Sequence, residues 1–314
     1  MGKKSRVKNR SQQAAAPQGE VGPRQPCPCG SGRRYKACHG SAGGPAPAYV
    51  ARPFAGLAGE ADLIAMREMV PAATAPVELK DSDRDVVLCS LLPGAAPALV
   101  RQDGTIWLGL QVQHSFGDPS RDLGAVLEKA LEAEPGEIVG LTSAPAEGPR
   151  LQDLLVDAPL EVTVHDGFDF WVADVDDPTG AIAASLETAN AAANPTTALG
   201  SVDAAYWTDV STKEHLRWVM PHDDEEQLLT ALARVHAAGE DSLVAGSRLV
   251  GMFRTSGVLV PVWDVPLGTG AQALEEPAVA FLSALEKALG DDSALTAEER
   301  SARSGLANRQ LTIR

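Results

Sequence analysis

The chain has 314 residues, 44% of them hydrophobic, and a formal net charge of −15 at pH 7. This length allows one large core or two modest ones, and no apolar run of about eighteen residues is present to span a membrane. The basic N-terminus continues into polar residues instead of an apolar stretch, which excludes a secretion signal and predicts a cytoplasmic protein.

Residues 1–24 lack apolar periodicity, and we expect a disordered basic tail there. Charge is unevenly distributed, since residues 1–40 hold nine Lys or Arg and one Glu, a net of +8, and the remainder therefore carries −23. Such an arm is typical of contact with RNA or a ribosome surface, and equally of a solvated tail that aids solubility. The acidic remainder argues against nucleic-acid binding beyond residue 40, and nothing indicates DNA-specific recognition.

Three thiols and one imidazole lie close together in the next segment, at Cys27, Cys29, Cys38 and His39. Zinc takes four such ligands in a tetrahedron, and four protein ligands leave no open position for a catalytic water. A disulfide between Cys27 and Cys29 would close a very small, strained ring. The spacing therefore predicts a structural Zn²⁺ site, with glycines that allow a tight turn and cations that offset its formal charge: Gly30, Gly32, Arg33, Arg34 and Lys36.

The segment from Pro26 to Gly40 resembles the SEC-C motif, a zinc-binding element found at the C terminus of the SecA preprotein translocase and in many other bacterial proteins. The resemblance implies that the same three cysteines and His39 bind zinc, and that the motif docks on a protein or ribosomal partner. The whole chain is similar to uncharacterised proteins of high-GC bacteria in which this motif precedes a domain of unknown function. No SecA motor precedes the motif here.

Composition predicts six successive regions. A basic tail (1–24) and the zinc-binding motif (25–40) are followed by a Gly- and Pro-rich linker (41–48). We expect a folded body in two halves, 49–200 and 201–290. A polar tail (291–314) follows, with one short helix at Thr296 to Ser304.

A repeat within the body has the pattern Trp-Val-x-x-x-Asp-Asp and occurs at Trp171 and Trp218. Trp107 and Trp263 also end or lie in strand-like runs before predicted helices. We interpret these as four strand–strand–helix modules, with hairpin turns at Asp103-Gly104, Asp166-Gly167 and Ser256-Gly257, and helix caps at Asp118 and Asp177. The modules predict an α+β fold with an antiparallel or mixed sheet and helices packed on one face.

Several signals in the body have ordinary structural interpretations. The acidic residues after His222 suit the first turn of a helix better than a metal site. Gly268-Thr269-Gly270-Ala271 matches a dinucleotide-binding pattern only weakly, because a proline separates it from the strand and too little chain follows for the returning parallel strand. Cys89 lies in an apolar run and reads as a buried small residue.

The favoured function is a non-enzymatic adaptor that uses the zinc motif to dock on a protein or ribosomal partner. Two alternatives stay open: an enzyme with its site in the α+β body, and RNA binding through residues 1–40. A deep cleft with converging titratable groups favours catalysis, whereas a shallow apolar surface favours docking. The sequence predicts no catalytic residue, since the common enzyme motifs are absent.

Overall fold

The structure, a computed structural model, describes residues 49–145, 147–172 and 181–312, together with Arg34. The chain divides into Met1–Pro47 and Ala48–Arg314, and every element below belongs to the second part. No helix among the described residues has the length and apolar character needed to cross a membrane.

The described residues contain seven α-helices and twelve strands. The helices are α1 Glu60–Glu68, α2 Pro119–Glu132, α3 Leu151–Leu154, α4 Ala181–Ala192, α5 Glu225–Ala238, α6 Glu275–Leu289 and α7 Ala297–Asn308. The strands are β1 Ala73–Val77, β2 Val86–Cys89, β3 Ala98–Val100, β4 Ile106–Gly109, β5 Ile138–Val139, β6 Thr163–Val164, β7 Thr196–Ala198, β8 Ala205–Asp209, β9 Glu214–Trp218, β10 Arg248–Thr255, β11 Val258–Val265 and β12 Gln310–Thr312.

The strands form two six-stranded sheets. The first has the order β5-β3-β4-β2-β1-β6 and is mixed, because β2 and β4 are parallel while its other pairs are antiparallel. The second has the order β12-β10-β11-β9-β8-β7 and is antiparallel except for the final pair of β12 with β10. The predicted α+β class is thus confirmed.

One core joins the two sheets. Leu63 and Ile64 of α1 and Leu127 of α2 belong to the same buried cluster as Tyr206 and Val260 of the second sheet. A hydrogen bond reinforces this packing, since the Tyr206 hydroxyl donates to Asp62 of α1 at 2.7 Å. Helix α1 therefore connects the first sheet to one face of the second.

Helices α5, α6 and α7 cover the opposite face of the second sheet. Their apolar residues pack with Trp218 and Trp263, and the Trp263 and Phe281 rings meet edge-on with centroids 5.0 Å apart. Strand residues alternate between the two cores, because successive side chains point to opposite faces of a sheet. Helices on one face of a largely antiparallel sheet match the predicted architecture.

Three of the four predicted modules have the expected form. Asp103-Gly104 joins the antiparallel strands β3 and β4, and Ser256-Gly257 joins β10 and β11. The prediction was wrong at Asp166-Gly167, which leads into a 3-10 helix, Asp169–Val172, instead of a second strand. Trp171 lies in that short helix, where its ring stacks on Phe168 at 4.3 Å and its indole N–H donates to Leu91. Asp177, the predicted cap, lies outside the described residues.

The C-terminal segment, expected to be a polar tail with one short helix, packs on the second sheet. Helix α7 is longer than predicted and buries Leu306, and β12 pairs in parallel with β10. Glycine at position 251 permits this contact, because a Cβ there would lie 2.7 Å from the carbonyl oxygen of Arg309. The second sheet also extends across the expected boundary at residue 200, because its strand β7, Thr196–Ala198, precedes that residue.

Candidate functional site

The predicted zinc ligands Cys27, Cys29, Cys38 and His39 lie outside the described residues. Among the residues that the structure does describe, no group of three or more His, Cys, Asp or Glu side chains is placed to hold a metal ion. Cys89, the one cysteine in this part, is fully buried and unpaired. Burial raises the pKa of its thiol to about 12, so the thiol is protonated near neutral pH, as expected of a core residue.

The acidic residues that follow Trp218 each contact a different partner. Asp224 caps α5, accepting from the backbone N–H groups of Glu226 at 3.0 Å and Gln227 at 3.1 Å. The neighbouring carboxylates form separate ion pairs, Asp223 with Arg52, Glu225 with Arg254 and Glu226 with Arg303. The interpretation of this run as a capped first turn is confirmed at Asp224.

The Gly-rich loop at 268–270 binds a carboxylate of the protein itself. Glu214 of β9 accepts from the backbone N–H groups of Gly268 at 2.5 Å and Gly270 at 2.9 Å, and from the Trp207 indole at 2.7 Å. Gly270 has a φ of 71°, a conformation that favours glycine. The backbone N–H groups of the loop that weakly matches the dinucleotide-binding pattern are therefore used by Glu214, which is almost fully buried.

The electrostatics of Glu214 follow from these contacts. Burial by itself would raise the pKa of the carboxyl group, but hydrogen bonds from Gly270, Trp207 and Gly268 together hold that pKa below its usual value. The carboxylate is therefore charged in the folded protein at neutral pH. Its role is to join β9 to the loop between β11 and α6.

The histidines of the body are also dispersed. His165 contacts the Thr74 hydroxyl at 2.9 Å, His215 lies 3.0 Å from Asp264, and His236 lies 2.6 Å from Asp241. Burial is the main cause that lowers the pKa of His165 and of His215, which favours their neutral forms. Each of these imidazoles thus has its own local structural partner.

A concave surface lies along β1, and we call it the β1 groove. It has a volume of about 630 Å³ and is bounded by β1, the start of α1 and the segment 156–161. Its lining is mostly aliphatic and includes Leu57, Leu63 and Leu160. Three carboxylates, those of Glu78, Asp85 and Glu161, lie at its exposed rim.

Pro76 explains why this groove exists. On one side of Pro76, β6 pairs with Ala73 and Thr74, and on the other Val156 donates its backbone N–H to Glu78 at 2.9 Å. Proline has no N–H to continue a ladder between these two points. The segment 157–162 therefore leaves the sheet edge, and Leu160 packs instead against Gly59, where a Cβ would lie only 2.5 Å from the leucine Cγ.

Sequence reasoning missed the groove. The available signals were Pro76 within a strand-like run and Pro159 in the segment that returns beside it. Neither signal indicates which distant segment borders the strand, since residues 76 and 160 meet only through tertiary packing.

Comparison with known proteins identifies two regions of the chain. The model of the SEC-C motif matches residues 24–41, which include all four predicted zinc ligands. No curated protein and no solved structure matches the chain significantly. The model of a family of unknown function, DUF5926, matches residues 53–314, the whole described body except its first few residues. The chain therefore belongs to the DUF5926 family, with a SEC-C motif before the family's domain.

Proposed function

We propose that this protein is a cytoplasmic, zinc-binding adaptor without enzymatic activity, and that its SEC-C motif docks on a protein or ribosomal partner. The SEC-C match over residues 24–41 is the observation that carries the proposal. A motif of this size has too few apolar residues for a core of its own, so metal binding would supply its folding free energy.

The donor set suits zinc. Three cysteine thiolates and a neutral imidazole are soft or borderline ligands in the number that a closed structural Zn²⁺ site takes. Cys27, Cys29, Cys38 and His39 would hold the ion. The site would carry a formal charge of about −1, which Arg33, Arg34 and Lys36 would offset. The bound metal would fix the loop that presents these basic side chains.

The described part of the body supports docking over catalysis. Most residues that line the β1 groove are aliphatic and its carboxylates lie at an exposed rim, whereas an active site is expected to bring titratable groups together inside a pocket. The carboxylates of Glu214 and Asp224 accept hydrogen bonds from backbone N–H groups of the protein itself. These hydrogen bonds give both carboxylates a structural role that does not require a part in catalysis.

The charge distribution supports a second candidate, RNA contact by residues 1–40. That segment carries +8, whereas the remainder of the chain carries −23. A segment of this charge attracts phosphate backbones by counterion release, with little dependence on sequence. A ribosomal partner would combine both modes, because ribosomes present protein and RNA surfaces together.

Affinity capture from lysate tests the proposal. The intact chain, a chain without residues 1–40, and the Cys38→Ser and Cys89→Ala variants serve as baits at equal concentration. We expect the same partner with the intact chain and with Cys89→Ala, and its loss with the deletion and with Cys38→Ser. Equal capture of that partner by all four baits would contradict docking through the zinc motif. Ribonuclease treatment distinguishes an RNA partner from a protein partner.

A further inference from the structure

The β1 groove lies beside an interrupted sheet edge. Pro76 is exposed, and the chain opposite it turns away from β1 as described above. The gap is bordered by a strand on one side and by the segment 157–162 on the other. A gap beside a strand edge is the kind of site in which an extended peptide segment binds.

The interior of the groove is apolar and its edge includes an exposed aliphatic side chain. Leu57 and Leu63 form part of its lining and are buried, with 9% and 1% exposure. Val156 at the edge is 41% exposed, which is unusual for valine in this body. Leu57 and Leu63 are already covered, so the aliphatic surface that an entering side chain could bury, at about 25 cal/mol per Å², lies on Val156, Pro76 and Pro159 at the edge. The groove thus offers a favourable free energy to an apolar side chain that enters it.

The charged residues that line the groove are all acidic. Glu78, Asp85 and Glu161 line it and are exposed, and no Lys, Arg or His is among its lining residues. Residues 41–314 as a whole carry −23. A cationic side chain beside the groove would therefore gain attraction from the local carboxylates, whereas an acidic segment would be repelled.

We propose that the β1 groove binds an extended segment of a partner protein in which apolar and basic residues alternate. Successive side chains of an extended chain point in opposite directions, so the apolar residues enter the groove while Lys or Arg side chains reach its acidic rim. The groove lies within the body and does not depend on the zinc motif. The inference therefore goes beyond the proposed function and can hold or fail separately from it.

A synthetic peptide provides the probe. A fluorescein-labelled peptide of about eight residues, alternating Leu and Lys and about 26 Å long when extended, is titrated with the full-length protein in about 0.15 M salt. Binding is followed by fluorescence polarisation. Two control peptides replace Leu by Ser or Lys by Glu. We expect the Leu-Lys peptide to bind more tightly than both, since only it has both features that the groove recognises.

Matched variants locate the binding site. Val156→Ser removes the exposed aliphatic side chain at the groove, and Val279→Ser removes a valine of similar exposure, 43%, on α6. Glu161→Lys reverses a rim charge, and Glu132→Lys reverses an exposed charge on α2. We expect each groove variant to weaken peptide binding by about 3- to 10-fold and each control by less than about twofold. All four side chains are exposed, and equal denaturation midpoints would establish that the variants are folded.

Several results would overturn the proposal. Equal affinity for the Leu-Lys and Ser-Lys peptides would mean general attraction to an acidic protein. Equal loss in groove and control variants would place the site elsewhere. Sedimentation that shows a dimer broken by Val156→Ser would assign the groove to a second copy of the chain. Peptide binding that strengthens at least tenfold when residues 1–24 are deleted would assign it to that basic segment.

Discussion

The Glu214 carboxylate accepts a hydrogen bond from the backbone N–H of Gly270 at 2.9 Å, across 56 positions of sequence. We expect Glu214→Gln to lower the free energy of unfolding by about 1.5–3 kcal/mol, because the amide has one acceptor oxygen where the carboxylate has two, and a buried N–H loses its partner. Equilibrium denaturation measures the change. Glu132→Gln, at an exposed position of α2, is the control and should change the free energy by less than about 0.5 kcal/mol.

The same contact predicts a dependence on pH. The folded-state pKa of Glu214 lies below its ordinary value of 4.5, so its contribution to stability is complete above about pH 4.5 and is lost as pH falls through the lower folded-state pKa. The stability difference between wild type and Glu214→Gln should therefore be constant at neutral pH and shrink under acidic conditions. A difference that grows on acidification would contradict the assignment of a charged, hydrogen-bonded carboxylate.

Tyr206 and Asp62 provide a second test. Burial is the main cause that raises the pKa of Asp62, and the hydrogen bond from Tyr206 opposes it. Tyr206→Phe should cost about 1–3 kcal/mol at neutral pH, because it leaves a partly buried carboxylate without its donor. Asp62→Asn retains an acceptor oxygen and removes the charge, and should cost less than about 1 kcal/mol. Tyr49→Phe, at 60% exposure, is the matched control for the loss of a hydroxyl.

The pH dependence of stability at Asp62 has the opposite sign to that at Glu214. The folded-state pKa of Asp62 is above 3.8, so ionisation lowers stability as pH rises through that raised value. Asp62→Asn should therefore gain stability relative to wild type between acidic and neutral pH. Chemical denaturation at several pH values measures this trend, and the opposite trend would mean that the ionised form is the better accommodated one.

The stability costs of substitutions at Asp224 and Trp218 should distinguish a helix cap from a core residue. Asp224→Asn should be nearly silent and Asp224→Ala should cost about 1 kcal/mol, because only alanine loses the acceptor for Glu226 and Gln227. Trp218→Ala should cost about 3–5 kcal/mol, since its buried ring packs against the rings of Trp263 and Phe281. Trp171 is only half-buried, and its replacement by Ala should cost less than that of Trp218. If Asp224→Asn lost a metal-binding activity of the protein while its stability stayed unchanged, the assignment of Asp224 as a helix cap would be contradicted.

Zinc content tests the motif. Purified protein should hold about one Zn²⁺ per chain, and Cys38→Ser should lose it because three ligands remain. Cys89→Ala is the control for loss of a cysteine and should keep the metal. Chelation should unfold residues 25–40 and leave the circular dichroism of the body unchanged. Full zinc content in Cys38→Ser would remove that residue from the ligand set.

Salt dependence tests the basic segment. If residues 1–40 contact RNA or ribosomes, the binding constant should fall steeply as salt rises, and deletion of residues 1–24 should flatten the slope, because six of the nine cations are removed. Lys287→Gln changes an exposed cation of the body and should leave the slope unchanged. Co-sedimentation with ribosomes across a salt series supplies the measurement. If the deletion does not alter the salt dependence of the binding constant, the interpretation as an RNA-binding segment fails and that of a solvated tail remains.

Features that depend on neighbouring residues were predictable from the sequence. Asp118 and Asp224 cap the helices that follow them, and glycine marks the turns after Asp103 and Ser256, because caps and tight turns are set by side chains within a few positions. The family match to residues 24–41 agrees with the resemblance to the SEC-C motif, and the zinc ligand set within it stays a prediction. Hydrophobic runs between such signals were sufficient to predict the α+β class.

Tertiary structure decided which distant segments meet. The Gly268–Gly270 loop has the same local pattern whether it binds a phosphate or a carboxylate, and only the position of Glu214 on β9 determines its partner. The polar C-terminal sequence gives little indication that β12 pairs with β10 beside Gly251. The β1 groove arises because Pro76 interrupts a pairing with residues some eighty positions away. Long-range pairing depends on the packing of the whole body, whereas caps, turns and metal spacing depend on local chain geometry.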